Sequence, residues 1–497
     1  MERSAGILMP ISSLPSPYGI GTLGREAYRF VDFLQAAGCK VWQVLPLQPT
    51  SFGNSPYQTC AANALNPYLI DLECLREDGL LAREDFCNLE WGKDARRVDY
   101  GAMYHLRARV LKRAFARFDR TSGEWLEFRG RGKYRDFARF MTLKAHFGGA
   151  ACSDWGKYAV YDETLVGEFA AENDEEIAFW EFTQYLFLAQ WKKLKAYANE
   201  HGVAIMGDIP MYLSRDSVEA WRYKKELFLV DEEGNFTMQA GVPPDAFSDE
   251  GQLWGNPIYD WARMQKGGFA WWHARILDAL ELYDILRIDH FIGFIRYYAI
   301  PEGASSAKVG EWRKGPGGAV FEGLKRLPIV AEDLGLITDE MRAEIDAIGF
   351  PGMKIIQHAF DGNPQNEHKP SCYSANCVAY TGTHDNVTLR TRIEEMQGAS
   401  RTRMLCDLRS ECLRAGIRAN VGTDKAICTT ILRLLYASKA DAVIFPLQDA
   451  LFMGEEGRIN SPSVVSDKNW SFRFLGSDFS AALRNKLSEL ARRSGRK

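Results

Sequence analysis

The chain has 497 residues, 46% hydrophobic and 25% charged, with a net charge of -4. That length exceeds what one compact core needs and predicts one large domain with sizeable insertions, or two domains. The near-neutral charge argues against a nucleic-acid partner, and no run reaches the ~18 apolar residues of a membrane span.

The ten cysteines show no C-x-x-C or Cys/His ligand spacing and the eight histidines no H-E-x-x-H, so neither a metal nor another cofactor is expected. The first ten residues meet Pro10 too early to form a signal h-region. Together these features predict a cytoplasmic protein.

In chain order, residues 6–11 read as a buried strand, Arg25 to Ala37 as an amphipathic helix stopped by Gly38, and 41–45 as a second strand. Between them lies Gly19-Ile-Gly21-Thr-Leu-Gly24, a literal G-x-G-x-x-G. A dinucleotide site needs its first glycine directly after the strand and an acid closing the next one. Here seven residues from Ser12 to Tyr18 intervene and the second strand ends Pro46-Leu-Gln48, so a tight turn is the better reading. Residues 66–202 turn mostly helical and charged, and are expected to form an insertion subdomain within a barrel of residues 1–65 and 203–497. Its basic stretch from Arg96 to Arg139 is interleaved with acids, as on a solvated helical face. Strand 204–208 follows, then a Trp-, Gly- and Pro-rich excursion at about 215–280. Further strands are predicted at 284–289, 329–332, 352–357, 378–383 and 441–446, with Thr338 capping a helix that Gly349 stops. Eight strands separated by helical material predict an α/β fold, a (β/α)8 barrel.

Three of these strands end in carboxylates: Ile288-Asp289, Ala331-Glu332 and Thr381-Gly-Thr-His384-Asp385. Acids at the C-terminal ends of several barrel strands are how this architecture builds an active site, and a pair of carboxylates is the equipment for glycosidic-bond chemistry. Arg287 lies two residues from Asp289 and so shares its face, where a guanidinium favours the ionised acid. Glu332, beside other carboxylates, suits a general acid. Tyr57 and Trp254 sit in Gly/Pro-rich loops as candidate platforms for flat sugar faces.

Taken together, several strings resemble the 4-α-glucanotransferases of the amylomaltase (disproportionating enzyme) family, relatives of the α-amylases. They are Tyr18-Gly-Ile-Gly-Thr-Leu-Gly24, Asn54-Ser-Pro-Tyr57, Gly207-Asp-Ile-Pro210, Gly241-Val-Pro-Pro-Asp245, Gly251-Gln-Leu-Trp-Gly-Asn-Pro257, Arg287-Ile-Asp-His-Phe291, Ala331-Glu-Asp-Leu-Gly335 and Thr381-Gly-Thr-His-Asp-Asn386. The resemblance runs the length of the chain. It implies a retaining double displacement with Asp289 as nucleophile, Glu332 as acid and base, and Asp385 as transition-state stabiliser. It also implies that Arg287, His290, His384, Tyr57 and Asp208 line the donor-sugar pocket, that Gln252 and Trp254 lie on a loop folded over the cleft, and that Asn460 belongs to the site. One departure is Ser463, where many members have glycine; a different loop conformation or product-length preference is expected. The implied partners are maltooligosaccharides and α-1,4-glucans. Two other readings stay open on the residues alone: an α-glucan hydrolase with the same acids, and a catalytically silent glucan-binding protein.

Overall fold

The computed structural model describes residues 2–244, 249–335 and 337–497. Its strands are β1 (Ser4–Leu8), β2 (Val41–Gln43), β3 (Ala204–Ile209), β4 (Met238–Val242), β5 (Gln252–Pro257), β6 (Ile285–Ile288), β7 (Arg296–Pro301), β8 (Glu311–Lys314), β9 (Ile329–Ala331), β10 (Gly352–Ile355), β11 (Cys377–Tyr380) and β12 (Ala442–Pro446). Eight of them form one parallel sheet in the order β10-β11-β12-β1-β2-β3-β6-β9. The two ends of that sheet meet: the Ala331 amide donates to the Pro351 carbonyl at 2.9 Å. The Met353 amide donates across the same seam to Asp333 Oδ1 at 2.6 Å. The result is the expected (β/α)8 barrel.

Period-2 alternation sorts the strand residues. Leu8, Met206, Val330, Met353, Val378, Tyr380 and Ile444 fill the barrel interior. Their neighbours Ile7, Ile205, Ile329 and Val443 face the surrounding helices. Polar groups inside are paired, as Tyr380 Oη donating to Gln43 Oε1 at 2.9 Å shows. The first strand is shorter than the sequence suggests, because Pro10 can donate no ladder bond and Ile11–Ser13 turns instead.

Helix Arg25–Ala37 ends at Gly38 in the left-handed conformation, φ 71°. Helix Asp339–Ile348 starts under Thr338, whose side chain accepts from the Met341 amide, and stops at Gly349, φ 88°. The glycine turn is a packing device. A Cβ at Gly21 would stand 2.0 Å from the Ile11 carbonyl, and one at Gly24 2.1 Å from Asp71 Oδ2, so the chain itself fills the space a phosphate would need.

Between β2 and β3 the chain is mostly helical, and its last helix there, Asp174–Glu200, runs 27 residues. That helix lies against the barrel's outer layer: Tyr197 packs on Tyr28 with ring centroids 4.9 Å apart, and Trp191 Nε1 donates to the Leu282 carbonyl at 3.0 Å. The excursion after β3 holds a feature the periodicity did not reveal. Strands β4 and β5 join β7 and β8, which come after β6, in an antiparallel sheet ordered β5-β4-β7-β8. This sheet stands over the barrel mouth and places β5 beside the strand-end acids. Asp245 of the Gly241-to-Asp245 string lies outside the described residues.

Asp333 ties the barrel seam by its side chain: it is buried, accepts from Met353 and pairs with Arg342. Asp333→Ala is expected to cost about 2 kcal/mol, since a buried amide loses its acceptor and Arg342 keeps only Glu367 of its two carboxylate partners. Chemical denaturation checks this, and an unchanged midpoint would refute it.

Candidate active site

The register of β3 on β6 places Asp208 directly beside Arg287. Arg287 Nη1 is 2.6 Å from Asp208 Oδ2 and 3.1 Å from Asp289 Oδ1. Burial opposes the charge on Arg287, but Asp208, Asp289, Tyr57 and Glu332 outweigh it and hold the guanidinium charged. Tyr57 Oη donates to the same Asp208 oxygen at 2.7 Å. Burial and the neighbouring Asp208 charge raise the Tyr57 hydroxyl well above its ordinary range, so it stays a donor.

Glu332 follows β9, which pairs with β6, and is held by the next turn of chain after β6. Its Oε2 accepts from the His290 amide at 2.7 Å, and its Oε1 from the Leu334 amide at 3.3 Å. Burial, then the Asp289 charge, raise its carboxyl well above the usual carboxylate range, against the pull of Arg287 and the His290 amide. His290 has a positive φ of 47°, an uncommon conformation for a non-glycine residue. That twist turns its backbone N–H toward Glu332 while its ring meets Trp254 edge-on, centroids 4.9 Å apart. Burial lowers the His290 pKa to about 4, so the imidazole is neutral near neutral pH.

On the other side, His384 stacks on Tyr57 with centroids 4.8 Å apart and planes 13° apart. His384 Nε2 lies 3.3 Å from Asp385 Oδ2, and Asn460 Nδ2 donates to Asp385 Oδ1 at 2.7 Å. Desolvation opposes the charge of Asp385, but His384, Asn460 and Arg287 together hold its carboxyl down to about 2.

These groups surround a cleft of about 270 Å³ lined by Tyr57, Gln252, Trp254, Asp289, His290, His384, Asp385 and Asn460, among others. Every residue expected from the sequence is thus at the barrel mouth. Arg287 and Asp208 form the buried floor, and Glu332 is reached through His290. Trp254 Nε1 donates to Gln252 Oε1 at 3.1 Å, so the two loop residues move as one. Gln58 ties that loop to the barrel by bonding Asn256 in both directions, at 3.1 and 3.2 Å. Among the described residues no cluster of three or more His, Cys, Asp or Glu side chains is arranged to hold a metal ion.

Comparison with known proteins gives the family of the chain. The family model described as 4-alpha-glucanotransferase matches residues 9–477. A 4-alpha-glucanotransferase of Clostridium butyricum is 41% identical over 505 residues, covering 98% of this chain and all of the relative. That of Thermus thermophilus is 42% identical over 498 residues, 97% of this chain and 96% of the relative. The solved amylomaltase of Streptococcus agalactiae in complex with acarbose superposes with a TM-score of 0.93 at 39% identity, over the whole of both chains. The chain belongs to the 4-alpha-glucanotransferase family. The amylomaltase of Corynebacterium glutamicum, 18% identical with a TM-score of 0.78 over 99% of this chain and 75% of that one, shares the fold.

Some parts of this glucanotransferase site escape a sequence reading. Trp470, with φ 62°, packs on both Tyr57 and His384, with centroids 5.7 Å from each. Tyr212 packs 6.1 Å from both Trp254 and His290. Ser463, the departure noted above, also lines the cleft and takes a left-handed φ of 64°. Behind the site, Gln448 and Asp449 follow β12 on the short helix Leu447–Leu451. Asp449 accepts from Thr381 Oγ1 at 2.5 Å and from the Leu389 amide at 2.7 Å, so it holds both ends of the segment that carries His384 and Asp385. Gln448 Nε2 donates to the Gly457 carbonyl at 3.0 Å and anchors the chain leading to Asn460. A carboxylate three residues past a strand end was the available signal.

Burial lifts the Asp449 carboxyl to about 6 although Thr381 and Leu389 stabilise its charge. Asp449→Asn keeps its shape but offers one acceptor where two donors converge. We expect roughly 10-fold or greater loss of kcat with KM little changed, because the substitution shifts Asp385 rather than substrate contacts. Glu411→Gln, which alters a buried carboxylate bonded to Ser371, serves as the control for simple destabilisation. An equal kcat loss in both variants would refute the positioning role.

Proposed function

We propose that this chain moves α-1,4-glucan segments from a donor maltodextrin to the 4-hydroxyl of an acceptor glucan or glucose. The observation that carries the reading is the contrast between the acids around Arg287: Asp289 paired with the cation at 3.1 Å, and Glu332 raised by burial and the Asp289 charge so that it keeps its proton.

The chemistry follows from that division. An Asp289 carboxylate oxygen attacks the anomeric carbon, forming a C–O bond as the glycosidic C–O bond breaks. Glu332 gives its proton to the departing oxygen, and the leaving segment diffuses away. The acceptor's 4-hydroxyl then attacks the same carbon, its proton passes to Glu332, and the bond to Asp289 breaks. Two inversions retain the anomeric configuration. Asp385, kept ionised by His384 and Asn460, opposes the positive charge that develops on the sugar ring. Tyr57, Asp208, Arg287, His290, His384 and Asn460 fix the donor sugar, and Gln252 and Trp254 cover it. Lock-down of that cover by Gln58 favours transfer over hydrolysis, since a closed lid keeps water from the covalent intermediate. No cofactor enters any step.

None of the ten cysteines is in a disulfide. No helix among the described residues is long and apolar enough to cross a membrane. We place the enzyme in a reducing cytoplasm on the first of these grounds.

Incubation with maltotriose tests the reading. Glucose together with longer oligomers is the expected product set; glucose and maltose alone would mean hydrolysis, and no change a binding protein. Glu332→Gln should lower turnover by roughly 10²–10⁴-fold, and Asp289→Asn should abolish it, both with unchanged thermal stability. Full activity in either variant defeats the assignment.

The pH dependence has a definite sign. Glu332 must be protonated to act, so activity falls as pH rises through its raised pKa, and that limb lies above the ordinary carboxylate range. Asp289→Asn removes a charge that raises Glu332, so the Glu332 proton should leave at lower pH in that variant. Infrared titration of the carboxyl band reads this directly; an unmoved midpoint would contradict the coupling.

A further inference from the structure

The chain that leaves β3 lines the catalytic cleft with Pro210, Met211 and Tyr212. Strand β3 ends at Ile209, and carbonyls beyond a ladder need other partners once they are buried. Three side chains from the excursion before β6 supply them. Asn256 Nδ2 donates to the Leu213 carbonyl at 2.7 Å, and Tyr259 Oη to that of Met211 at 2.8 Å. Arg275 reaches two: Nη2 donates to the Pro210 carbonyl at 2.6 Å and Nη1 to the Met211 carbonyl at 3.3 Å.

Arg275 sits on helix Ala270–Leu282, which packs outside the barrel against β3 and β6. It is only 6% exposed. Burial pushes its guanidinium below the ordinary range, although Tyr259 and Glu219 support the charge. A buried cation is costly unless its surroundings are well placed. Trp272 and Trp271 supply ring faces, their centroids 4.8 and 5.3 Å from the guanidinium carbon. The planar fork then spans two successive carbonyls, a geometry that a lysine ammonium does not reproduce.

The segment so held carries the wall behind the covering loop. The Tyr212 ring stands 6.1 Å from both Trp254 and His290, and stacks on Tyr259 with planes 15° apart. Met211 packs over Gly293, where a Cβ would lie 2.3 Å from its Sδ and 3.0 Å from His290 Cδ2.

We propose that Arg275 is a positioning residue that acts through Pro210 and Met211 to press Tyr212 against Trp254 and His290, and so keeps water from the glycosyl-enzyme. The inference rests on the transfer reading above. With the fork gone, Tyr212 can withdraw and a gap opens beside Trp254. Water then attacks the anomeric carbon in place of the acceptor hydroxyl, the bond to Asp289 breaks, and the water's proton passes to Glu332.

Product balance with maltotriose tests this. Transfer leaves the number of reducing ends unchanged, whereas hydrolysis adds one for each bond broken. Reducing ends gained per glucose released therefore measure the partition of the intermediate. Partial unfolding lowers both products alike and leaves this ratio unmoved. Arg275→Met should raise it by roughly 10-fold, and Arg275→Lys by less. Tyr259→Phe, which keeps the stacked ring and removes one donor from the Met211 carbonyl, should also raise it and decides the matter if Arg275→Met does not fold. A ratio equal to wild type in Arg275→Lys and Tyr259→Phe overturns the positioning role. Failure of the transfer reading would show separately, as a wild-type protein that gains one reducing end for every glucose released.

Discussion

One buried cation organises the barrel mouth. Arg287 is almost wholly enclosed and faces Asp208 and Asp289 at bonding distance. Taking such a group out of water costs several kcal/mol, a cost offset only when the geometry of its partners is good. Here β3–β6 register supplies that geometry without any loop: Asp208 and Arg287 are neighbours across the ladder, and Asp289 is two residues along on the same face. Arg287 also draws on Glu332, but burial and the Asp289 charge outweigh that pull. The same cation thus pairs directly with Asp289, while burial and the Asp289 charge raise the Glu332 carboxyl, a difference between neighbouring acids of the kind two-carboxylate chemistry uses.

The backbone enforces the division. Glu332 and Asp289 end adjacent strands, and the positive φ at His290 aims its amide at Glu332. Strain of this kind costs on the order of 1–3 kcal/mol and persists where surroundings over-determine it. Here the His290 ring is boxed by Trp254 and Tyr212, and the following Phe291 amide donates to the Glu332 carbonyl at 3.0 Å. Asp333, one residue on, points the opposite way and closes the barrel. Consecutive acids on one strand end therefore divide into a chemical and a structural role because the pleat sends their side chains to opposite sides.

That division was half legible in the sequence. An apolar run ending in an acid is visible, so β6, β9 and β11 and their carboxylates could be read, as could helix Arg25–Ala37 with its glycine stop. Which of Glu332 and Asp333 faces the cleft depends on pleat phase at a short strand, and the family strings rather than periodicity settled the choice. Strands β7 and β8 stayed hidden because β4, the strand that joins β7 to the rest of their sheet, lies upstream of β6. Nothing in Tyr297-Tyr-Ala-Ile300 itself says it pairs antiparallel with residues some sixty positions earlier. Asp449 was missed for a related reason. Its function is to bond Thr381 and the Leu389 amide, contacts that exist only after β11 and β12 lie side by side.

The two walls of the cleft differ in how they are held, and the difference suits transfer. The wall carrying Asp385 is bonded to the barrel core through Asp449, Gln448 and Gln357, whose Nε2 donates to the Val387 carbonyl at 3.0 Å. The facing wall, β5 with Trp254, belongs to an antiparallel sheet that is not part of the barrel and is held by Gln58 bonding Asn256, by Asn256 Nδ2 donating to the Leu213 carbonyl at 2.7 Å and by Trp254 against His290. The wall with Asp385 keeps the transition-state charge compensated, and the β5 wall covers the cleft opposite it and keeps water out. Ser463 belongs to the rim between them. A serine held there at φ 64° carries a conformational cost that a glycine would not.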